Sequence, residues 1–320
     1  MKKIFFIMMT VIATSIVIEI FLLYGMIKKN PKKYFYYFIH PHSAQKMNPI
    51  GIWENNLLLG YAHIPNAQGV HQTSDFSVTY HIGPEGERFI PKPEHPKGRL
   101  LFLGDSWTFG HGVQDDEVYP SILAKEWQDW WVLNKAVMGW GTVHAYQLLL
   151  QEFKSATPPD AVIYQMLGDH VDRNYITKQW LHVLAQYGRS HPHFEVVHGR
   201  PEFQGIVTLP QGEDGDLPGF SRKKIELTQA LLREMNRLCR EKNIPFIVIL
   251  FYGKPPEAIY ETFRKEHILF LDLTGLKTEI FPHDGHPNSE GHKVMAAAIQ
   301  NSFIPLMLEK TLRHKSVGDL

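Results

Sequence analysis

The chain has 320 residues, 44% of them hydrophobic and 12% aromatic, which supplies ample core and excludes a disordered chain. Lys+Arg and Asp+Glu balance at 33 each, and no basic block lies outside the first 33 residues, which argues against nucleic acid as the main partner. Cys239 is the only cysteine, so there is no internal disulfide and no thiolate metal site; the length fits one large domain or one domain with an appendage.

In chain order, residues 4–27 form an apolar run broken only by Glu19 and small polar residues. The run exceeds the ~20 residues that a helix needs to span a bilayer. Lys2 and Lys3 precede it, Lys28, Lys29, Lys32 and Lys33 follow, and no Ala-x-Ala type end is present, so residues 1–33 read as an uncleaved single-pass anchor. The lysine count favours a cytoplasmic downstream side. Residues 34–98 are rich in aromatics, Pro and Gly. Within them Phe76, Val78, Tyr80 and Ile82 alternate with polar residues as a half-buried strand, Gly83-Pro84-Glu85-Gly86 turns, Arg88-Phe89-Ile90 returns, and Pro91 to Gly98 is a linker. This is a small β-rich lead-in.

From Arg99 to about Leu312, apolar strands alternate with helical periods. The strand candidates are Leu100–Leu103, Trp131–Leu133, Ala161–Leu167, Phe246–Leu250 and Ile268–Leu271. The helix candidates are Thr142–Phe153, Arg222–Asn243 and a last helix from about Ser289 to Leu312 with a kink at Pro305. Alternating β and α elements predict a parallel sheet with helices on both faces. Residues 176–221, rich in Gly and Pro, break the rhythm and read as an inserted loop or hairpin; 313–320 are a tail.

The buried strand Leu100–Leu103 stops abruptly at Gly104-Asp105-Ser106, which places a serine at a strand's carboxyl end, where open α/β sheets bind ligands. Taken alone the tripeptide is weak, since it arises by chance in about one chain in ten of this length. Near the other end stands Pro282-His283-Asp284-Gly285-His286-Pro287-Asn288-Ser289. His286, just before a helix and with Asp284 two residues upstream, supplies a general base and its orienting acid, and a serine needs such a partner to become nucleophilic. Asn288 or Ser289 caps the helix that follows, which is compatible with catalysis.

Gly104-Asp105-Ser106 followed by Asp284-x-His286 resembles the SGNH/GDSL hydrolase family of serine esterases. The stretch from Asn134 to Thr142 is similar to the family's second block, with Gly139 at the glycine whose amide helps to form the oxyanion hole. Gly110-His111-Gly112-Val113, Leu59-Gly60-Tyr61, Pro65-Asn66 and Gly86-Glu87-Arg88 resemble a membrane-anchored subgroup that carries a β-rich lead-in. The likeness covers roughly residues 50–310. It implies a three-layer α/β/α flavodoxin-like fold with a five-stranded parallel core in residues 99–312, preceded by the lead-in. It also implies hydrolysis of acyl esters through an acyl-enzyme on Ser106, with His286 as base and then acid, Asp284 holding it, and the amides of Ser106 and Gly139 stabilising the oxyanion. No cofactor is called for.

Two departures from the family pattern stand out. The third block, Gly-x-Asn-Asp in the family, reads Gly168-Asp169-His170-Val171-Asp172-Arg173-Asn174 here, so Asp169 falls where an asparagine would donate to the oxyanion. An ionised carboxylate has no proton to donate. Either His170 substitutes, or Asp169 is held protonated, or the hole has two amides only, or Asp169, Asp172 and Arg173 form a loop ion-pair cluster. Secondly, Asp284 lies two residues before His286, where the commoner spacing is three, and His283 occupies the three-back position. A zinc site at His283, His286 and His292 lacks a supporting cysteine or carboxylate array. His111 and His144 read as surface or pocket-lining, and Trp107 and Trp140 as core residues, although their place beside the site also allows stacking on a sugar ring. The leading expectation is an anchored, extracytoplasmic esterase that removes acyl groups, acetyl first among them, from a carbohydrate; the side of the membrane follows from that function and runs against the lysine count. The alternatives are an acyltransferase using the same site, a non-catalytic glycan-binding protein on a degenerate hydrolase fold, and a lipid-directed lysophospholipase or thioesterase.

Overall fold

The computed structural model describes residues 51–175, 177–185, 188–208 and 220–318. The anchor expected at 4–27 lies outside the described residues, and among these no helix is long and apolar enough to cross a membrane. The described residues all fall within one compact unit, Asn48–Leu320.

The lead-in begins with two antiparallel pairs, β1 (Trp53–Asn56) with β2 (Gly60–His63) and β3 (Gln68–Gln72) with β4 (Ser77–His81). In β4 the alternation works as read, with Val78 and Tyr80 buried against Phe109 and Met138 of the main domain. Arg88 bolts the two parts together. Its side chain is fully buried, its Nε donates to Asp115 Oδ1 at 2.5 Å, and its other nitrogens donate to the carbonyls of Phe109, Gly110 and Val113. The rings of Tyr80 and Phe109 sandwich the guanidinium. Each of its three nitrogens donates, which offsets the desolvation of this charge; a neutral replacement would take a partner from Asp115 and from three carbonyls.

The central sheet consists of β5 (Gly98–Leu103), β6 (Trp130–Asn134), β7 (Ala161–Met166), then β10 (Phe246–Leu250) and β11 (Leu269–Asp272), after an intervening hairpin β8 (His191–Val197) and β9 (Arg200–Val207). The order β11-β10-β7-β5-β6 is parallel throughout. It is the flavodoxin-like order, with its topological switch between β5 and β7. Successive strand residues point to opposite faces, and the core divides accordingly. Leu101, Leu103, Val162, Tyr164, Val248 and Leu250 face one apolar layer, while Leu100, Phe102, Ile163, Ile247 and Ile249 face the other.

The helices are α1 (Ser106–Phe109), α2 (Tyr119–Glu126), α3 (Thr142–Glu152), α4 (His170–Arg173), α5 (Lys178–Ala185), α6 (Phe220–Glu241), α7 (Glu257–Lys265), α8 (Ser289–Gln300) and α9 (Ile304–Gly318). Residues of α3, α6 and α7 close the first layer, and those of α2, α8 and α9 close the second. The single kinked last helix is corrected: the chain breaks at Asn301, and Pro305 sits in the first turn of α9, where the lack of an N–H costs nothing. The 176–221 region contains α5 and the β8–β9 hairpin; its turn has His198 and Gly199 both at positive φ, 50° and 77°. That is the twist a two-residue hairpin turn demands, met here with histidine where asparagine is commoner. The hairpin packs Phe194 against Tyr146 of α3.

Candidate active site

The nucleophile turn is built by glycine and polar packing. A Cβ at Gly104 would lie 2.5 Å from Gln165 Oε1 and 2.6 Å from Thr108 Oγ1, so only glycine lets the chain turn off β5 here. Asp105 then accepts from the Trp107 amide at 3.1 Å and caps α1, with Ser106 as the first helical residue. The Asp105 carboxylate is completely buried. Arg173 Nη1 donates to its Oδ2 at 2.9 Å, and His170 Nε2 lies 3.1 Å from the same oxygen. Burial alone would raise this carboxyl, but His170 and Arg173 outweigh it and hold the group ionised, well below the usual carboxylate range.

His286 reaches the serine from the loop that precedes α8. A tight turn closes this loop, with Gly285 N donating to Phe281 O and Phe281 N to His286 O, and Asn288 caps α8 through the Gly291 amide. His286 Nε2 lies 2.7 Å from Ser106 Oγ, and its Nδ1 lies 2.5 Å from Asp284 Oδ1. Because a carboxylate only accepts, Nδ1 carries the proton and Nε2 is left to accept from the serine hydroxyl. The two-residue spacing also has a local cause. Asp284 Oδ1 accepts from the His286 amide at 3.2 Å, so the aspartate turns the chain and orients the ring with one oxygen. His283, the three-back residue, points elsewhere: its Nδ1 meets Asp75 Oδ1 at 2.6 Å on the lead-in, and its side chain is 63% exposed. Asp75 also accepts from the His283 and Asp284 amides, both at 2.9 Å, which ties the acid loop to the lead-in. Burial would raise the Asp284 carboxyl, but hydrogen bonds from His111 and His286 outweigh it and keep the group ionised.

On the opposite side of Ser106, the chain after β6 runs along the end of β5, with Lys135 N donating to Phe102 O and Val137 N to Gly104 O. This brings Gly139 toward the nucleophile turn. Gly139 adopts φ 85°, which favours glycine, and a Cβ there would come within 2.8 Å of the Tyr61 hydroxyl. Tyr61, from β2 of the lead-in, donates to Met138 O at 2.8 Å. In a trans peptide the N–H points opposite to the C=O, so fixing the Met138 carbonyl fixes the direction of the Gly139 amide. Among the described residues, the amides of Ser106 and Gly139 have no hydrogen-bond partner.

Neither alternative donor drawn from the third block faces this pair of amides. Asp169 Oδ2 accepts from Arg173 Nη2 at 2.6 Å and the side chain is 53% exposed, so it belongs to the loop ion-pair cluster. Asp172 pairs instead with Lys224 of α6. His170 is fully buried and is held by Tyr164, whose hydroxyl lies 2.9 Å from its Nδ1, and by Asp105; it is not a substitute oxyanion donor. Trp107 and Trp140 lie in the core as read, and the stacking on a sugar also considered for them is corrected. They are 8% and 2% exposed, and Trp140 stacks on His144. The exposed aromatic here is Tyr252, 71% accessible and stacked on Trp107. His144 and His111 are buried rather than superficial, and His144 Nδ1 accepts from the Gly141 amide at the start of α3. The three candidate zinc histidines do not converge, since His292 is buried with its Nδ1 facing the Tyr119 amide. Among the described residues, the histidines and carboxylate that do converge are His111, Asp284 and His286.

Sequence reasoning missed Tyr61, Asp75 and Tyr252 as site residues, and it placed Arg173 in the ion-pair cluster without its contact to Asp105. Only Tyr61 left a signal, as part of the Leu59-Gly60-Tyr61 block. A groove of about 1210 Å³ lies between the lead-in and α2, lined by His81, Phe89 and Asp115, and includes none of Ser106, Asp284 and His286.

No protein-family model matches the sequence, and no curated protein matches it. Among solved structures, the chain is similar to the psychrotrophic esterase EstA from a Pseudoalteromonas species, captured with monoethylphosphonate, at 12% identity and a TM-score of 0.43 over 66% of this chain and 98% of that one. A member of the lipolytic protein G-D-S-L family from Veillonella parvula matches at 13% identity and a TM-score of 0.38 over 64% of this chain and 98% of its own. A catalytic mutant of Axe2, an acetylxylan esterase from Geobacillus stearothermophilus, matches at 16% identity and a TM-score of 0.38 over 64% and 93%. All three are named as esterases or lipolytic proteins. At these identities the assignment of chemistry rests on the side chains of this chain.

Proposed function

We propose that the chain is a serine ester hydrolase that works through an acyl-enzyme on Ser106, and that its substrate is an O-acylated, in the first instance O-acetylated, carbohydrate. The observation that carries the reading is the line Ser106 Oγ–His286–Asp284, with 2.7 Å and 2.5 Å at its two links. His286 Nε2 takes the hydroxyl proton as Oγ attacks the ester carbonyl carbon. The carbonyl oxygen becomes an oxyanion facing the amides of Ser106 and Gly139. The intermediate collapses, the bond to the alcohol oxygen breaks, and His286 returns the proton to that oxygen. Water then repeats the sequence on the acyl-enzyme, releasing the acid and restoring the serine. Each oxyanion donor is worth about a hundredfold to a thousandfold in rate.

The sugar part of the proposal draws on Tyr252. Its ring is exposed and lies parallel to Trp107, next in sequence to the nucleophile, at the carboxyl end of β10. An exposed ring in that position suits stacking against a pyranose. We also propose that residues 4–27 anchor the enzyme with residues 34–320 outside the cytoplasm; a C-terminal reporter that is active only in the cytoplasm would overturn this. The chemical test is acetate release from an acetylated polysaccharide and from a simple aryl acetate. Release that vanishes in Ser106→Ala supports the reading, and release unchanged in that variant refutes it. Supplying a glycan acceptor in the same assay distinguishes transfer from hydrolysis.

A further inference from the structure

His111 is a buried histidine that the reaction as written above does not use. It follows Gly110, the left-handed residue that ends α1, and its amide donates back to Ser106 O at 3.0 Å, so the turn that presents the nucleophile also places this ring. The side chain has no exposed surface. Its Nε2 lies 3.1 Å from Asp284 Oδ2, the oxygen that His286 leaves unused, and its Nδ1 lies 2.9 Å from Met138 Sδ. The ring lies over that of His286, with centroids 4.2 Å apart and planes inclined by 32°. The edges of His71 and Phe76, both from the lead-in, close the other sides.

Chemistry decides which hydrogen this histidine offers. A carboxylate only accepts, so the proton sits on Nε2 and is given to Asp284. The other nitrogen faces a thioether, a weak acceptor that gives little to a second N–H. Burial pushes the ring's pKa down, and the neighbouring His286 pushes in the same direction, which is consistent with a neutral donor beside a ring that becomes charged during the reaction. A carboxylate held at one oxygen can rotate about its own axis. One held at both oxygens by donors on different segments cannot, and the imidazole bonded to it keeps its aim.

We infer that His111 is a positioning residue for acyl transfer, a neutral Nε2–H donor that locks Asp284 by its second oxygen and so holds His286 in line with Ser106. The inference rests on the esterase reading above. It also gives the short Asp284-x-His286 spacing a partner: the acid turns its own loop with Oδ1, and His111 supplies the fixed point for Oδ2.

The test compares His111→Phe, His111→Gln and His111→Asn with the parent. The readouts are kcat and KM on an aryl acetate, the rate at which a fluorophosphonate labels Ser106, and thermal unfolding. Phe keeps a ring and loses the donor. Gln keeps a donor at about the same reach. Asn carries the same amide one carbon short and serves in place of Phe if Phe does not fold. The expected result is a fall in kcat and in labelling rate of about tenfold or more in Phe and Asn with KM nearly unchanged, within the roughly hundredfold that a 1 Å misplacement can cost. Gln should return to within about threefold of the parent. A Phe or Asn variant as fast as the parent overturns the inference, and so does a folded Gln variant as slow as Phe or Asn. A parent that takes no label refutes the esterase reading itself, and this inference with it.

Discussion

The two sides of Ser106 are held in different ways. On the base side, His286 and Asp284 sit in a loop bonded by uncharged or singly charged partners: Asp75 and its two amide contacts, His111 on the second carboxylate oxygen, and a stack of aromatic edges from the lead-in. On the oxyanion side, where the third block departs from the family pattern, an alternating row of charges takes over. Arg173 stands between buried Asp105 and exposed Asp169 and also donates to Trp140 O. The base side is aimed by hydrogen bonds to the groups that react. The oxyanion side is braced one step further back, and the donors that remain at its front are backbone amides. A site can therefore lose a side-chain donor and keep its architecture, provided that the replacement charge is neutralised behind it.

The comparison breaks most visibly at Arg173. Replacing it with Met leaves the buried Asp105 carboxylate with His170 and the Trp107 amide but without its fixed positive charge, and losing one partner of a buried pair typically costs about 3–5 kcal/mol. Thermal or urea unfolding of Arg173→Met should show a loss of that order, whereas an unchanged midpoint would mean that the charges are not braced as described.

Acid tests the buried histidines around both sides. Burial pushes His63, His71 and His292 down to about 3 and His191 to about 4, so the folded chain keeps them neutral while the unfolded chain protonates them near 6.5. Their folded values lie below the unfolded one. Their stabilising contribution is therefore complete above pH ~6.5 and drains away as the pH falls toward 3–4. Each adds up to about 1.4 kcal/mol per pH unit in that window. The urea midpoint should decline steadily from about pH 6.5 to pH 4.5; a flat profile would contradict this burial.

A sharper probe of the oxyanion side is Tyr61→Phe, which removes only the hydroxyl that fixes the Met138 carbonyl. The hydrogen bond is worth about 0.5–1.5 kcal/mol, so kcat should fall roughly three- to tenfold with KM unchanged. A rise in KM with kcat intact would place Tyr61 in substrate binding instead. The smallest effect belongs to Asp169→Ala. Its exposed pair with Arg173 is worth about 0–1 kcal/mol, and with two amides forming the hole the rate should stay within about threefold. A hundredfold loss would make Asp169 a protonated donor after all.

What could be read from the sequence tracks separation along the chain. The β5 strand, the turn at Gly104, and the Asp284-x-His286 pair are local, written in apolar runs, a glycine and a spacing of two, and all were legible. The parallel sheet followed from the βα rhythm. The partners that aim the site are long-range: Tyr61 to Met138 spans 77 residues, His111 to Asp284 spans 173, and Asp75 to His283 spans 208. No periodicity or spacing carries such contacts. Trp107 and Trp140 were legible as core, but the aromatic open to solvent beside the nucleophile was not: only the packing shows that Trp107 is covered and Tyr252 lies open on it. Pro305 misled. A proline inside an apolar period reads as a kink, while here it opens a new helix after a break at Asn301.

The central claim is that His286 and Asp284 make Ser106 a nucleophile, and the most direct measurement is the intact mass of residues 31–320 after exposure to a fluorophosphonate, beside Ser106→Ala and His286→Ala. The account predicts one adduct on the parent, none on Ser106→Ala, and labelling slowed on the order of a thousandfold or more in His286→Ala. A folded parent that takes no adduct, or an adduct that persists in Ser106→Ala, would contradict it.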